Sequence, residues 1–386
     1  MLIITAPGQG AQTPGFLAPW LEVPGVAERL EAASELAGRD LIRLGTTGTA
    51  DEIRDTAVAQ PLLVAAALAA AGALAGGKPG DLRTDAAAGH SVGELGAGVL
   101  AGVLSADDAI RLIAVRGQAM ASASAAEPTG MTAVLGGDEE AVLAAIARHG
   151  LTPANVNGAG QIVAAGALAD LAAFAADPPA GARLRPLQVA GAFHTRYMSP
   201  AVAALRAAAA GVSVADPAKT LLSDADGAAV TTGQEWLERI VAQVAAPVRW
   251  DLCMRTMADL GVTALIELPP AGTLTGLARR GLPGVAQLAL KTPDQLDAAR
   301  DLIEEHLAEP ELHGHGHLPE WRLIVAPTSG TFRSGENGGL GAVVARSGEH
   351  QVAAPWPPEI IEWLVEDGDP VSAGQPLVRI QLRDGA

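Results

Sequence analysis

The chain has 386 residues, 49% of them apolar and 18% charged, with a formal net charge of −17. Length and composition describe two or three folded domains around a large core and exclude a disordered chain. The negative charge argues against nucleic acid or an anionic membrane as a partner, and an acidic protein partner would need a local basic patch. The single cysteine, Cys253, leaves no disulfide framework and fits a reducing compartment, the cytoplasm. The N-terminus has no basic segment and reaches Pro7-Gly8 too soon for a signal peptide.

Leu2-Ile3-Ile4-Thr5 reads as a buried strand ending at the Pro7-Gly8 turn. Gly8 and Gly10 then flank Gln9, as an unusual backbone conformation or an ordinary glycine turn would require. The Gly-x-x-x-x-Gly-Lys-Ser/Thr pattern of a phosphate loop is absent. Helices fill the chain to about Gly76, one of them starting at Ala59-Gln60-Pro61-Leu62 with proline in its first turn. The Ala-rich run 62–75 lacks the length and large aliphatic content of a membrane span, so a buried helix is expected. Residues 84–88 read as a short buried strand and 94–104 as a tightly packed helix. Between them, Gly89-His90-Ser91-Val92-Gly93 is Gly-x-Ser-x-Gly, the pattern of a nucleophile elbow, which exposes a serine at a sharp strand-to-helix turn. A plain turn gives the same five residues.

Ser105 opens a helix with a capping box to Asp108, running to about Ala121, and Asp107 and Arg111 can pair on its solvent face. Arg116 lies among Leu112, Ile113, Ala119 and Met120. A guanidinium on an apolar face needs a buried carboxylate, a ligand anion or a route to solvent. Strands over 131–135, 162–165 and 184–189, with helices over 138–149 and 167–175, suggest a small α+β insert of ferredoxin-like type. His194 lies in the loop 191–195, before a helix capped by Ser199-Pro200, where both catalytic and ordinary surface histidines occur. Gln243 falls in a helix broken at Pro247. Residues 264–268 are a late strand ended by Pro269-Pro270, and a helix starts at Leu274. Residues 301–320 have linker composition, and the alternating His313, His315 and His317 suit a solvated tether better than a metal site. From 321 to 386, short strands with Gly/Asp turns suggest a small all-β module.

Eight pieces occur in one order: Pro7-Gly8-Gln9-Gly10-Ala11-Gln12, Gln60-Pro61, Gly89-His90-Ser91-Val92-Gly93-Glu94, Arg116-Gly117, Asn155-Val156-Asn157, Gly191-Ala192-Phe193-His194, Gln243 with Pro247-Val248, and Leu274-Thr275-Gly276-Leu277. On them, the chain from Met1 to about Leu290 resembles the malonyl-CoA:acyl-carrier-protein transacylases of fatty-acid synthesis and the related acyltransferase domains of polyketide synthases. The resemblance implies an α/β fold: an α/β-hydrolase-like domain over 1–121 and 190–300, a ferredoxin-like insert over 122–189, then the linker 301–320 and the module 321–386. It makes Ser91 the nucleophile and His194 its base and then acid, with Gln243 orienting the histidine through its backbone carbonyl, a dyad without an acidic member. The backbone N–H groups of Gln9 and Val92 form the oxyanion hole, and Val92 also follows from elbow geometry. Arg116 grips the malonyl carboxylate, and Gln60 and Phe193 contact the substrate.

The implied partners are malonyl-CoA and acyl carrier protein, with no metal, redox cofactor, nucleic acid or membrane. Phe193 before the histidine implies malonyl over methylmalonyl, because a ring there crowds an α-methyl group. Two positions depart from the pattern: Gly191, where polyketide domains often have His, and residues 268–272, where the family has Gly-Pro-Gly. The start at the first strand favours a freestanding enzyme. The competing readings are a polyketide-pathway malonyltransferase, an esterase or thioesterase, and an inert scaffold. The tail, with Ala326-Pro327-Thr328-Ser329-Gly330 and residues 365–377, resembles a biotinyl/lipoyl-like domain. No lysine follows Lys291, which excludes covalent biotin or lipoate and leaves a docking or dimerisation module.

Overall fold

The computed structural model describes residues 1–307, 321–334, 342–345, 348–352 and 359–381. It divides into two units, Met1–Glu309 and Pro310–Ala386.

The first unit is built on a five-stranded sheet in the order Ala286–Ala289, Ala264–Glu267, Leu2–Ala6, Ala86–Gly89, Thr220–Leu222. Every neighbouring pair is parallel. Central strands of such a sheet are covered on both faces, which is why Leu2–Ala6 is apolar without alternation. Ala6 pairs with Gly89, so these two strands end together. The loops that follow, carrying Gln9 and Ser91, leave the sheet side by side at its carboxyl edge, where open α/β sheets bind ligands. A third loop at that edge follows Ala264–Glu267. The buried Glu267 carboxylate accepts the N–H groups of Gly272, Leu274 and Thr275 at 2.8, 2.9 and 2.8 Å, capping the helix Thr273–Gly281. Ala271 and Gly272 before it take φ of 50° and 109°.

The helix Thr56–Ala75 runs through the core, buried from Thr56 to Leu74. Burial was expected here, but not the length: this helix is long and apolar enough to cross a membrane, and lies wholly inside the protein. It starts at Thr56, because Asp55 accepts the Ala57 N–H at 2.8 Å. Pro61 therefore sits inside the helix and not in its first turn; the cap and the burial outweigh the hydrogen bond that proline cannot make. The helix after the elbow is Gly93–Leu100, shorter than expected, because Gly102 turns the chain at φ 79° and Ser105 caps the helix Ala106–Ser124 by accepting the Asp108 N–H at 3.0 Å. Arg111 pairs with Asp107 at 3.9 Å and more closely with Asp108 at 3.0 Å. Ser199 is the first residue of its helix, Ser199–Ala209, and not a side-chain cap.

The insert has strands Thr129–Gly136, Thr152–Gly158, Gln161–Ala167 and Ala182–Pro186, with helices Glu139–Arg148 and Leu168–Ala176. Counted along the chain, its strands lie in the order 4-1-3-2, and they pair antiparallel, the βαββαβ arrangement of a ferredoxin-like unit. The second strand was not expected. Its sequence, Thr-Pro-Ala-Asn-Val-Asn-Gly, has turn composition, and its ladder shifts register twice to accommodate it. The last strand ends at Pro186, before the expected 189. Val248–Arg249 of the large domain adds to this sheet, parallel to Thr152–Gly158.

The helix Leu296–Leu307 overturns the linker reading of 301–307: the apolar residues Ala299 and Ile303 are buried in the main core. His313, His315 and His317 lie outside the described residues. In the second unit, Trp321–Val325, Pro376–Gln381 and Glu359–Trp363 form one antiparallel sheet. Gly348–Gln351, Ala342–Ala345, Gly330–Arg333 and Pro370–Val371 form another. Phe332, Val365, Val371, Leu377 and Val378 are among its buried residues.

Candidate active site

Ser91 has φ 54°, a left-handed backbone that a side-chain-bearing residue adopts only when its surroundings impose it. Both motif glycines are needed for this turn. A Cβ at Gly89 would lie 2.1 Å from the Glu94 nitrogen, and one at Gly93 would lie 2.1 Å from the Ala6 carbonyl oxygen. The Ser91 N–H donates to Asp224 Oδ2 at 2.6 Å. Gly-x-Ser-x-Gly is thus a true elbow here.

Ser91 Oγ lies 2.7 Å from His194 Nε2, and His194 Nδ1 lies 2.8 Å from the Gln243 carbonyl oxygen. A carbonyl only accepts, so Nδ1 carries the proton and Nε2 presents a lone pair to the serine hydroxyl. Burial, and then the charge of Arg116, push the His194 pKa down to about 3. The unliganded imidazole is neutral at physiological pH.

Arg116 is 1% exposed. It donates to Gln60 Oε1 at 2.7 Å, to Gln243 Oε1 at 2.8 Å and to Ser91 Oγ at 3.3 Å, and its Nε has no partner. Of the three ways the sequence left for this guanidinium, direct pairing with a carboxylate and escape to solvent are both excluded. Burial lowers its pKa to about 10, against the raising effect of Asp224 and Glu94, so it remains charged. A cation held only by neutral oxygens, beside the Ser91 hydroxyl, is able to receive an anion. Gly117 lets its helix reach the core helix: a Cβ there would sit 3.0 Å from the Thr56 carbonyl oxygen.

Ser91 and His194 open on a cleft of about 250 Å³. Gln9, Gln60, Val92, Met120 and Phe193 line it from the large domain, and Met131, Asn155, Asn157 and Val163 from the insert. His90 Nε2 meets Asn157 Oδ1 at 2.9 Å, tying the elbow to the insert across the cleft. The backbone N–H groups of Gln9 and Val92 find no backbone or side-chain acceptor among the described residues. The Gln9 side chain points elsewhere, to the Arg54 carbonyl at 3.3 Å. At Gly191 a Cβ would lie 2.5 Å from Ser124 Oγ and 2.8 Å from its Cβ, so any side chain there would require Ser124 to shift.

All eight residues expected at the site come together. Two more belong to it, Glu94 and Asp224, 1% and 0% exposed. Gln243 Nε2 reaches Glu94 Oε2 at 2.6 Å and Asp224 Oδ1 at 3.0 Å, so this glutamine serves with its side chain as well as its carbonyl. Glu94 stands in a quoted motif, but Asp224 belongs to none of them, and only the fold shows that it is buried. Among the described residues, no three His, Cys, Asp or Glu side chains are grouped to hold a metal ion.

The acyl transferase domain family matches residues 7–298. The chain belongs to this acyl transferase family. It is 53% identical over 302 residues to the malonyl CoA-acyl carrier protein transacylase of Mycobacterium tuberculosis, spanning 78% of this chain and 100% of that one. The crystal structure of MCAT from Mycobacterium tuberculosis superposes with a TM-score of 0.74, covering 78% of this chain and 99% of that one at 53% identity. A malonyl-transacylase solved in complex with its type II PKS acyl-carrier protein gives a TM-score of 0.72 at 30% identity, covering 78% of this chain and 99% of that one. Within this acyl transferase, the match ends at residue 298, short of the second unit.

Proposed function

We propose that this acyl transferase moves the malonyl group from malonyl-CoA to the phosphopantetheine thiol of acyl carrier protein in fatty-acid synthesis. One observation carries the reading: the hydroxyl that the His194 base addresses at 2.7 Å is also touched, at 3.3 Å, by a buried guanidinium. Only an acyl group with a free anion completes that arrangement. His194 takes the Ser91 proton as Oγ attacks the thioester carbonyl, then returns it to the departing CoA sulfur. The developing oxyanion is held by the N–H groups of Gln9 and Val92; losing one such donor typically raises the barrier by about 3 kcal/mol. Arg116, released from Ser91, pairs with the malonyl carboxylate, with Gln60 beside it. The carrier thiol then reverses the sequence, a ping-pong transfer that needs neither metal nor redox cofactor.

Phe193, buried against the cleft, supports malonyl over methylmalonyl. The similarity to a malonyl-transacylase bound to a polyketide carrier protein keeps a polyketide-pathway malonyltransferase as the second reading. An esterase is disfavoured, because His194 Nδ1 meets a carbonyl and not a carboxylate and because Arg116 calls for an anion.

The large domain is read as α/β-hydrolase-like on its parallel sheet and elbow. The tail is read as a biotinyl/lipoyl-like sandwich without the attachment lysine, serving as a docking or dimerisation module. One buried thiol, Cys253, fits the cytoplasm. Mass spectrometry after exposure to malonyl-CoA tests the core claim. The malonyl mass should appear on the peptide containing Ser91 and vanish in Ser91→Ala; transfer at full rate by Ser91→Ala would overturn it.

A further inference from the structure

Behind the nucleophile lies an acidic pair that the transfer steps do not use. The Asp224 N–H donates to Glu94 Oε1 at 2.6 Å, and the Ser91 N–H donates to Asp224 Oδ2 at 2.6 Å. Gln243 Nε2 stands between the two carboxyls, 2.6 Å from Glu94 Oε2 and 3.0 and 3.1 Å from the Asp224 oxygens. The charges facing them can be enumerated. Arg116 approaches from the helix Ala106–Ser124 and hydrogen-bonds neither carboxyl. His194 is neutral. Cys253, on the helix Trp250–Asp259, is a buried thiol whose Sγ meets the Ser223 carbonyl at 3.4 Å. The neighbouring Asp226 is paired with Arg239, and Arg249 with Asp251. Two buried anions would therefore face one cation, and the surplus charge would be costly in a dry interior.

We propose that Glu94 and Asp224 carry one proton between them, and that this half-neutralised pair is the positioning device of the site, holding the Ser91 amide and turning the Gln243 side-chain oxygen toward Arg116. One proton makes the cluster with Arg116 neutral instead of net negative, which removes one anion that would repel a substrate carboxylate. Burial, joined for Glu94 by the Asp224 charge, pushes both carboxyls above their usual range, in the direction the charge count requires.

The kinetic arm of the test rests on the malonyl-transfer reading, and the spectroscopic arm stands without it. Infrared difference spectra of the full-length protein at neutral pH, with and without carbon-13 carboxyl labels on Asp and Glu, should show a protonated carboxyl C=O band. Asp224→Asn and Glu94→Gln should each abolish that band, because a lone carboxylate balances Arg116 without a proton. No such band in the unmutated protein, or a band that survives either substitution, overturns the proposal. In steady-state kinetics, the KM for malonyl-CoA should rise roughly tenfold on the alkaline side, as a second negative charge appears near the substrate carboxylate. That rise should be absent in Asp224→Asn; an unaltered alkaline rise in this variant overturns the proposal as well.

Discussion

Arg116 is held by a constellation of neutral oxygens, and its proposed role as receptor of the malonyl carboxylate sets the expected result of removing it. Hydrogen bonds to a charged group contribute about 1.5–3 kcal/mol each, so Arg116→Ala should lower kcat/KM for malonyl transfer by roughly 10- to 100-fold or more. Uncharged acyl groups should gain in relative terms; an unchanged ratio of malonyl to acetyl transfer would sink the role. His194 makes a pH prediction. Its folded pKa, about 3, lies below the ordinary histidine value near 6.5, so the unfolded chain binds the proton more readily. The stability this contributes is complete above pH ~6.5 and is lost as pH falls toward the folded pKa. Urea unfolding of His194→Ala across that window should lose less stability on acidification than the unmutated chain does, and identical curves would contradict the shift. The residues that gather at the candidate site were legible in the sequence because short motifs carry them and because an arginine among apolar neighbours demands an explanation. Asp224 was not, since its importance comes from a cluster assembled from three distant segments.

At the scale of elements, glycine is spent where backbones must touch. Gly93→Ala would put a Cβ 2.1 Å from the Ala6 carbonyl, and neither strand nor elbow can yield without undoing the register of Ala6 with Gly89. Overpacking of this kind typically costs about 1–3 kcal/mol and more against fixed backbone. A drop in Tm together with lost acylation of Ser91 is expected, and a variant as stable as the parent would refute the tight packing. Three of the five strands of the parallel sheet, Leu2–Ala6, Ala86–Gly89 and Ala264–Glu267, were readable as apolar runs, and the elbow as its own motif; the short edge strands Thr220–Leu222 and Ala286–Ala289 were not. The strand Thr152–Gly158 was hidden because its one proline and two asparagines are the residues of turns. The start of Thr56–Ala75 was hidden because Pro61 looks like a first-turn residue when only its neighbours are seen.

For the whole molecule, the question is where the catalytic unit ends. Composition placed the boundary at 300, but the helix Leu296–Leu307 carries Ile303 into the core, and His306 Nε2 meets Asp85 Oδ2 at 2.7 Å. The same carboxylate oxygen accepts the Leu2 N–H at 2.7 Å, so the end of the helix is fastened to the first two strands. Burying one such aliphatic side chain contributes about 1.5–3 kcal/mol, and in a unit of this size 1 kcal/mol moves Tm by roughly 2–4 °C. A fragment ending at 307 should therefore melt several degrees above one ending at 300, with malonyl transfer retained in the longer fragment. Equal melting points would restore the boundary at 300. The polar, His-bearing stretch concealed this, because a helix whose apolar stripe is narrow has linker-like composition.

The hydrogen bond from Arg116 to Ser91 Oγ makes the idle enzyme an interlock. On the proposed reading, the group that receives the malonyl carboxylate also donates to the nucleophile, and its charge adds to burial in lowering the His194 pKa. An arriving carboxylate would, on the same reading, draw the guanidinium to itself and offset its share of the lowered His194 pKa, the share due to burial remaining. Discrimination against uncharged thioesters should therefore appear in kcat as well as in KM, since those thioesters can occupy the cleft without ever freeing the hydroxyl.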